Sequence, residues 1–407
     1  MMRVWSLAWV LIVLIPGRVL AIDSTSVGLE YVHDIAAGET ADSIVSFGQQ
    51  REWSLSEAGD AAKLHLQYRL WIDSERRETY HGISHANVEK LIGYLENSFD
   101  EVKLSTGWQE VTWGENLLMP ILDVVNLRDP THPRGYYDPA SKIPAGMINA
   151  EWRHGDMSLQ GIVVPWPAVM PQPKSIRGFG VDDSQERKVG TDAEYGGRVG
   201  FLSAGIDSKL YYFKHWPRVP SYRFKPLSDG DDIIPDEEMQ ETYGASTSYA
   251  AYSWLVRADL AHHTNFPATN IGTAVERTGL TQSILGFNWT NDEQTSLGTE
   301  FHLDRWEDQT VAYTKGAWVE EERGSQVLAW LGATAAMSFA QNRWEPFVVY
   351  MHGTQKDDEL IRTILSWNAT DHLTLVAEYQ RTHSESNSPK LLLDKRETMA
   401  LRAAYTF

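Results

Sequence analysis

Residues 62–72 read AKLHLQYRLWI, and every second position of this stretch is apolar. Ala62, Leu64 and Leu66 begin a series that continues at positions 68, 70 and 72, while the residues between them are mostly polar. Successive side chains of a strand point to opposite faces of a sheet. The stretch therefore predicts a β-strand with one apolar and one polar face.

The same alternation recurs along the chain, at residues 148–153, 195–201, 254–261, 297–303 and 373–380. Less regular copies cover residues 88–107, 205–216, 279–290, 324–339 and 343–369. Short connections at 97–98, 154–156, 203–205 and 291–293 alternate with long ones at 108–144, 166–192, 217–241, 264–278, 305–323 and 384–394. Membrane-spanning barrels sort short turns and long loops to opposite ends, whereas a soluble β-sandwich need not.

The last ten residues, TMALRAAYTF, decide between these two folds. Met399, Leu401, Ala403, Tyr405 and Phe407 share one face of a final strand. A chain that ends on an aromatic residue in such a strand resembles the terminal signature of bacterial outer-membrane proteins, which the barrel assembly machinery reads. The sequence thus predicts an all-β fold, a transmembrane antiparallel up-and-down β-barrel.

Counting back from the final strand gives about 16 strands over residues 61–407. Residues 22–60 are either an N-terminal extension or the first two strands, which would raise the count to about 18. We prefer 16. Residues 1–21 are predicted to be a signal peptide, because an apolar run at 4–15 follows Arg3 and small residues stand at 19–21. That run is too short to span a membrane as a helix.

Composition narrows the function classes. The chain of 407 residues has no cysteine, which excludes disulfides, thiolate metal sites and a cysteine nucleophile. A net charge of −19 argues against nucleic acid as a partner. The 16 Trp, 17 Tyr and 12 Phe suit aromatic girdles at the two membrane interfaces. The girdle residues predicted from their positions near strand ends are Trp152, Tyr211, Trp216, Trp254, Trp289, Trp344, Trp367 and Tyr379.

One long connection is rich in motifs. Residues 107–116 read GWQEVTWGEN and residues 122–130 read LDVVNLRDP. They resemble a family of proteobacterial outer-membrane barrel proteins of unknown function, whose hallmark is a strand ending G-R-Q-x-x-W-G followed by D-V-x-N-P-x-D. Residues 164–173, 194–196, 210–213 and 256–261 resemble later blocks of that family. Trp108 and Leu127 replace the Arg and Pro of the hallmark, as in a divergent member.

The resemblance implies the outer membrane of a Gram-negative bacterium, with an envelope export or lipid-transport system as partner. Loops of this length are usually functional or disordered. We therefore expect residues 107–144 to fold into the lumen as a constriction. Its predicted residues are Trp113, Asp123, Asn126, Arg128 and Asp129, facing charges of the inner wall. The alternative is an external loop that serves stability alone.

Charged residues on the polar strand faces are predicted to line the lumen, because unpaired charges are too costly in a dry interior. The principal ones are Arg69, Arg153, Arg198, Arg257, Asp259, Glu300 and Arg402, with Lys63, Lys103, Glu194, Lys209, Glu151, Arg362 and Glu378 beside them. They either filter solutes in a polar conduit or form ion pairs, such as Glu151–Arg153 and Arg257–Asp259, that only stabilise the wall.

The favoured hypothesis is a porin-like channel or export conduit for a solute or a lipid-like cargo, in contact with outer-membrane lipids. A plugged, non-conducting barrel with a structural or docking role is the alternative. A rim hydrolase using Asp259, His262 and His263 is less favoured, because no serine-nucleophile motif and no zinc-binding HExxH spacing occurs. The acidic residues 229–238 suit a solvated loop rather than a metal site. We expect no enzyme activity, cofactor or metal.

Overall fold

In the computed structural model, eighteen long strands form one closed antiparallel sheet within the part of the chain that the structure describes. The described residues are 21–34, 42–54, 62–73, 86–116, 118, 120–129, 141–168, 175–176, 179–180, 192–218, 221–224, 233–267, 271–272, 277–291, 295–307, 309–315, 318–324, 327–339, 343–353, 359–383 and 397–407. The predicted signal peptide lies outside them, apart from Ala21.

The strands follow one another around the barrel in chain order. They are β1 (Ala21–Asp34), β2 (Asp42–Ser54), β3 (Ala62–Asp73), β4 (Ala86–Phe99), β5 (Val102–Gln109), β6 (Ala145–His154), β7 (Met157–Val164), β10 (Glu194–Ser203), β11 (Ile206–His215), β14 (Gln240–Ala251), β15 (Trp254–Pro267), β17 (Arg277–Thr290), β18 (Ser296–Trp306), β21 (Val327–Ala336), β22 (Trp344–Gly353), β23 (Glu359–Asn368), β24 (Leu373–His383) and β25 (Glu397–Thr406). Shorter strands in the long connections are β8 (Ser175–Ile176), β9 (Phe179–Gly180), β12 (Tyr222–Phe224), β13 (Ile233–Pro235), β16 (Ile271–Gly272), β19 (Gln309–Lys315) and β20 (Trp318–Gly324).

The sheet closes where β1 pairs with the final strand β25, and Leu29 stands opposite Ala403 at this seam. The strand count is therefore the larger of the two that the sequence allowed. β1 and β2, which pair along nearly their full length, supply the additional two strands in the segment that the sequence left open. Closure matters because a barrel leaves no unpaired edge in lipid.

Connections sort by length to the two ends of the barrel. Turns of two residues join β4 to β5, β6 to β7, β10 to β11 and β14 to β15 at one end, the short-turn end. The connections after β5, β7, β11 and β18 are long and lie at the other end, the long-loop end. There, β12 pairs with both β13 and β16 and so joins the connection after β11 to the one after β15.

Apolar side chains point outward and polar ones inward, as the alternation predicts. Leu260, Leu285, Phe301 and Leu331 occupy adjacent outward positions and are exposed, whereas the neighbouring inward residues Asp259, Glu300 and His302 are buried. No helix among the described residues is long and apolar enough to cross a membrane.

Two belts of outward aromatic side chains flank this apolar band. Trp254 stands opposite Trp289 near the short turns, where Trp344 also stacks on Trp367 at 5.3 Å between ring centroids. Tyr212 and Tyr243 contact each other at 5.2 Å nearer the long loops. The belts have the arrangement of the girdles of membrane barrels.

Two predicted girdle residues are placed elsewhere. Tyr211 faces the lumen, where its hydroxyl bonds Ser246 at 2.8 Å, and Trp216 is buried just beyond the end of β11. Position near a strand end was the only basis for including them, and it does not fix which face a side chain takes.

Candidate functional site

Residues 110–144, which connect β5 to β6, form the constriction loop. Its described parts are 110–116, 118, 120–129 and 141–144. Instead of projecting from the barrel, they fold back against the inner wall and bury Trp113, Ile121, Leu122, Val124 and Val125 in one apolar cluster with side chains of β6, β7, β11, β15 and β17. The loop thus packs against the inner wall through its own hydrophobic side chains.

Trp113 is the centre of this cluster and is 1% exposed. Its ring lies 5.4 Å from the rings of both Tyr211 and Phe213, and its indole N–H donates to the Gln160 side-chain oxygen at 3.0 Å. The sequence led us to expect Trp113 to face wall charges. It packs on aromatic rings instead, because β11 presents Tyr211 and Phe213 inward at this level.

The stem of the loop is held together by its own polar residues. The Asn126 side-chain amide donates to the carbonyl oxygens of Gln109 and Ile143 at 3.0 Å and accepts the Val111 N–H at 2.7 Å. It therefore bridges both sides of the stem. Asn126 is 1% exposed, and its side chain satisfies three backbone groups of the stem.

A buried ion-pair group closes the stem beside Asn126. The Asp123 carboxylate contacts Lys142 at 2.8 Å and Arg128 at 3.0 Å, and Lys142 also donates to the Thr112 hydroxyl at 2.7 Å. The backbone N–H of Asp129 donates to the Ser141 carbonyl at 2.7 Å and joins the two sides of the stem. Asp123, Arg128 and Lys142 thus pair with one another within the loop.

The tip of the loop is fastened to β15. The Asp259 carboxylate accepts the backbone N–H groups of Glu115 and Asn116 at 3.1 and 3.3 Å. The Arg257 guanidinium donates to the Glu115 carbonyl at 3.0 Å and lies 3.8 Å from Glu300. Arg257 and Asp259 were expected either to line the conduit or to pair with each other. In the described contacts both bind the loop.

Three glycines of the inner wall stand where the loop approaches the sheet. A Cβ at Gly286 would lie 2.8 Å from Asn116 Oδ1, and a Cβ at Gly332 would lie 2.7 Å from Leu118 Cδ1. A Cβ at Gly244 would overlap the Leu122 side chain. The three glycines lie on β14, β17 and β21. Because they carry no side chain, the loop can approach the sheet closely at these positions.

Arg218, in the connection after β11, also fastens the constriction loop. The Arg218 guanidinium donates to the Val124 and Val125 carbonyls of the loop at 2.7 and 2.8 Å and pairs with the Glu194 carboxylate through two contacts of 2.8 Å. Nothing in the sequence singled out Arg218. It lies in a segment without strand alternation, and only the fold brings it to the loop.

Charges also lie away from the loop contacts. On β23, β24 and β25, the Glu378 carboxylate pairs with Arg362 at 2.6 Å and with Arg402. Arg198 lies 3.6 Å from Glu151, which also pairs with Arg153 at 2.8 Å. The Arg153 side chain is 71% exposed, next to the short turn at residues 155–156, and so belongs to the rim of the barrel. The Arg69 side chain lies outside the described residues.

The residues of the rim-hydrolase alternative do not converge. Asp259 and His263 face the lumen, whereas His262 faces outward and bonds the Thr281 hydroxyl at 3.1 Å. The Asp259 carboxylate is occupied by loop amides. Among the described residues there is no group of three or more His, Cys, Asp or Glu side chains that could hold a metal ion. Two of the acidic residues at 229–238, Asp236 and Glu238, pair with Arg277.

The architecture is that of solved outer-membrane porins. A BenF-like porin from Pseudomonas fluorescens Pf-5 has a TM-score of 0.57 at 8% identity, over 95% of this chain and 98% of that one. Pseudomonas aeruginosa OccK5 (OpdH) has a TM-score of 0.55 at 11% identity, over 95% and 97%. Acinetobacter baumannii OccAB3 has a TM-score of 0.54 at 9% identity, over 95% and 99%.

At these identities the fold is what the proteins share. No protein-family model and no curated protein matches the sequence. The resemblance of residues 107–130 to the barrel-family hallmark therefore stays a prediction.

Proposed function

We propose that the protein is a porin-like channel in the outer membrane of a Gram-negative bacterium. The observation that carries this proposal is the constriction loop, which is fastened along the inner wall of an 18-stranded barrel. A barrel of this size encloses more space than its wall side chains fill. A loop anchored to the wall narrows that space.

The contacts of the described loop residues indicate where the path runs. They lie on β6, β7, β11, β14, β15 and β17, and the Leu118 side chain reaches as far as the apolar cluster formed by β22 and β23. We place the path on the opposite side of the lumen, along β24 and β25. On this side, Arg362 and Arg402 flank Glu378, while Glu115 and Lys209 pair at 2.5 Å on the loop side.

Charges facing each other across a narrow lumen set a transverse field that selects among solutes. A hydrophilic solute suits this wall better than a lipid-like cargo. The resemblance to the barrel family keeps an envelope export partner as the alternative. The outward apolar band contacts outer-membrane lipid, and the strand that ends at Phe407 is the element for the assembly machinery to read.

Single-channel recording in a planar bilayer tests the proposal. The wild-type protein is expected to give discrete open steps, and deletion of residues 115–140 is expected to enlarge them, because the deletion removes the constriction. Deletion of the β19–β20 hairpin, residues 309–324, is the control and should leave the step size unchanged. Absence of current from both the wild type and the 115–140 deletion would contradict the channel and favour a structural or docking barrel.

A further inference from the structure

Apolar side chains occupy part of the inner wall on β22, β23 and β24, where the strand alternation leads us to expect polar ones. Phe347, Ile364 and Val376 point into the lumen and are half-buried. Val348 and Leu365, which follow the first two, are exposed on the outer face. We call Phe347, Ile364 and Val376 the apolar strip. An inward side chain that keeps accessible surface exposes that surface to the lumen.

The register of the sheet places the members of the apolar strip next to one another. Phe347 stands directly opposite Ile364. Ile364 stands opposite Glu378, which lies two positions after Val376 on the inner face of β24. Side chains that are directly opposite have Cβ atoms about 4.5–5.5 Å apart, and diagonal neighbours lie about 7–8 Å apart. A small solute can therefore contact neighbouring members of the strip together.

The apolar strip continues toward the constriction loop. Phe347 packs against a buried cluster of Val349, Met351 and Leu360, and Leu118 of the loop packs against the same cluster. β22 begins near the short turns, so Phe347 lies on the short-turn side of the cluster. Leu118 thus packs on the buried end of this apolar surface, and the strip is the end that remains accessible.

Charged side chains border the apolar strip on the side where we place the path. Glu378 contacts Arg362 at 2.6 Å and also pairs with Arg402. Arg402 stands opposite Val376, and Glu378 stands opposite Ile364. An apolar surface and an ionic group therefore lie side by side on one part of the inner wall.

The packing of the barrel does not use the accessible surface of the apolar strip. Outward apolar side chains contact lipid, and the buried cluster contacts Leu118, whereas the strip faces the lumen. Covering apolar surface that is in contact with water is favourable. The strip is therefore suited to bind the apolar part of a solute that passes it.

We propose that the channel selects water-soluble solutes that carry both an apolar side group and a polar or charged group. The apolar group contacts the strip, and the polar group lies at Glu378 and its arginines. This inference rests on the proposed channel and names its substrate class. Conduction requires binding that is strong enough to admit a solute and weak enough to release it, which a contact with a half-buried surface provides.

L-leucine and L-asparagine are the probes that test the proposal. They share the same zwitterionic head, and their side chains have nearly the same shape but differ in polarity. For each probe, the concentration that blocks half of the ion current through the full-length protein is measured in a planar bilayer. We expect leucine to block at a concentration about three- to tenfold lower than asparagine, as expected when one or two methyl groups are buried.

Variants of β23 and β24 show whether the apolar strip causes this difference. Ile364→Thr combined with Val376→Thr keeps two β-branched side chains but makes them polar, and should bring the two blocking concentrations to within about twofold of each other. Ser366→Val extends the strip opposite Val376 and should increase the preference for leucine. Ile361→Thr makes the same change on the lipid-facing side of β23 and is the matched control, with the wild-type preference expected.

The ratio of the two blocking concentrations does not depend on how much of a variant folds and inserts, because both probes are applied to the same open channels. Liposome swelling then shows passage, and leucine should enter faster than asparagine at low concentration.

A wild type that conducts but is blocked equally by the two probes would overturn the substrate class and leave the channel in place. An unchanged preference in the double threonine variant, or leucine that blocks without entering liposomes, would also overturn it. Absence of any current would contradict the channel itself, and the inference with it.

Discussion

Each of three glycines of the inner wall lies opposite one side chain of the constriction loop. Gly244, Gly286 and Gly332 face Leu122, Asn116 and Leu118 respectively, so each approach of the loop meets a position without a Cβ. Leu122 is the tightest of the three contacts, because it is fully buried in the apolar cluster and cannot turn toward solvent. The wall sequence thus encodes where the loop lies.

Gly244→Val tests this fit. The new side chain occupies the space of Leu122, so the loop must shift, and overpacking of this kind typically costs about 1–3 kcal/mol. We expect a lower unfolding midpoint and a larger or noisier channel current. Gly161→Val is the matched control, since nothing lies within 4 Å of a Cβ at that position. An equal effect of both variants would show that strand propensity, and not the loop contact, is responsible.

Strand alternation made the barrel predictable from the sequence. Residues 254–261 and 297–303 were predicted to alternate. Leu260 and Phe301 point outward from these strands, whereas Asp259 and Glu300 are buried on the inner face. The preferred count of about 16 was too low by two. The cause lies in β1 and β2, where glycines and paired polar residues such as Gln49 and Gln50 blur the alternation.

The site was only partly predictable. The motif at residues 107–130 marked the loop, and Asp123, Asn126 and Arg128 were predicted to face charges of the inner wall. In the structure Asp123 pairs with Arg128 and Asn126 bonds the stem, and these partners depend on how the stem folds. Arg218 left no sequence signal, because it lies in a segment without strand alternation and only the fold brings it to the loop. Contacts between distant strands cannot be read from the period of any one strand.

The constriction loop as an element can be fixed to the wall by a disulfide. The chain has no cysteine, so an Asn116→Cys, Gly286→Cys pair would be the only thiols present. A Cβ at position 286 would lie 2.8 Å from Asn116 Oδ1, so the two side chains meet, and a disulfide joins Cβ atoms about 3.5–4.5 Å apart. Because the loop already lies there, oxidation should leave the unit conductance unchanged and reduce the current noise.

Gly286→Cys alone is the control, since it introduces a thiol without a crosslink. Reduction of the double variant should restore the noise of this single variant. A large change of unit conductance on oxidation would mean that the loop occupies a different position in the membrane.

At the scale of the whole molecule, the sheet separates two solvents. The outer face carries the apolar band between its aromatic belts, and the inner face carries charges that pair with one another or with the loop. A closed sheet allows this because every backbone group is bonded within it, from the seam of β1 and β25 around the full circumference. The described part of the loop packs its apolar cluster against this inner face.

Placing an arginine on the outer face and on the inner face measures how much each face loses in stability when it receives a charge. Leu285→Arg places a charge in the lipid-facing band and should cost about 2–4 kcal/mol near the bilayer midplane. Thr334→Arg places the same charge on the lumen side of β21, where water and polar neighbours accept it, and should cost far less. Urea unfolding in phospholipid vesicles gives both values. A larger loss for Thr334→Arg than for Leu285→Arg would invert the assignment of the two faces, and with it the membrane-spanning barrel on which the channel depends.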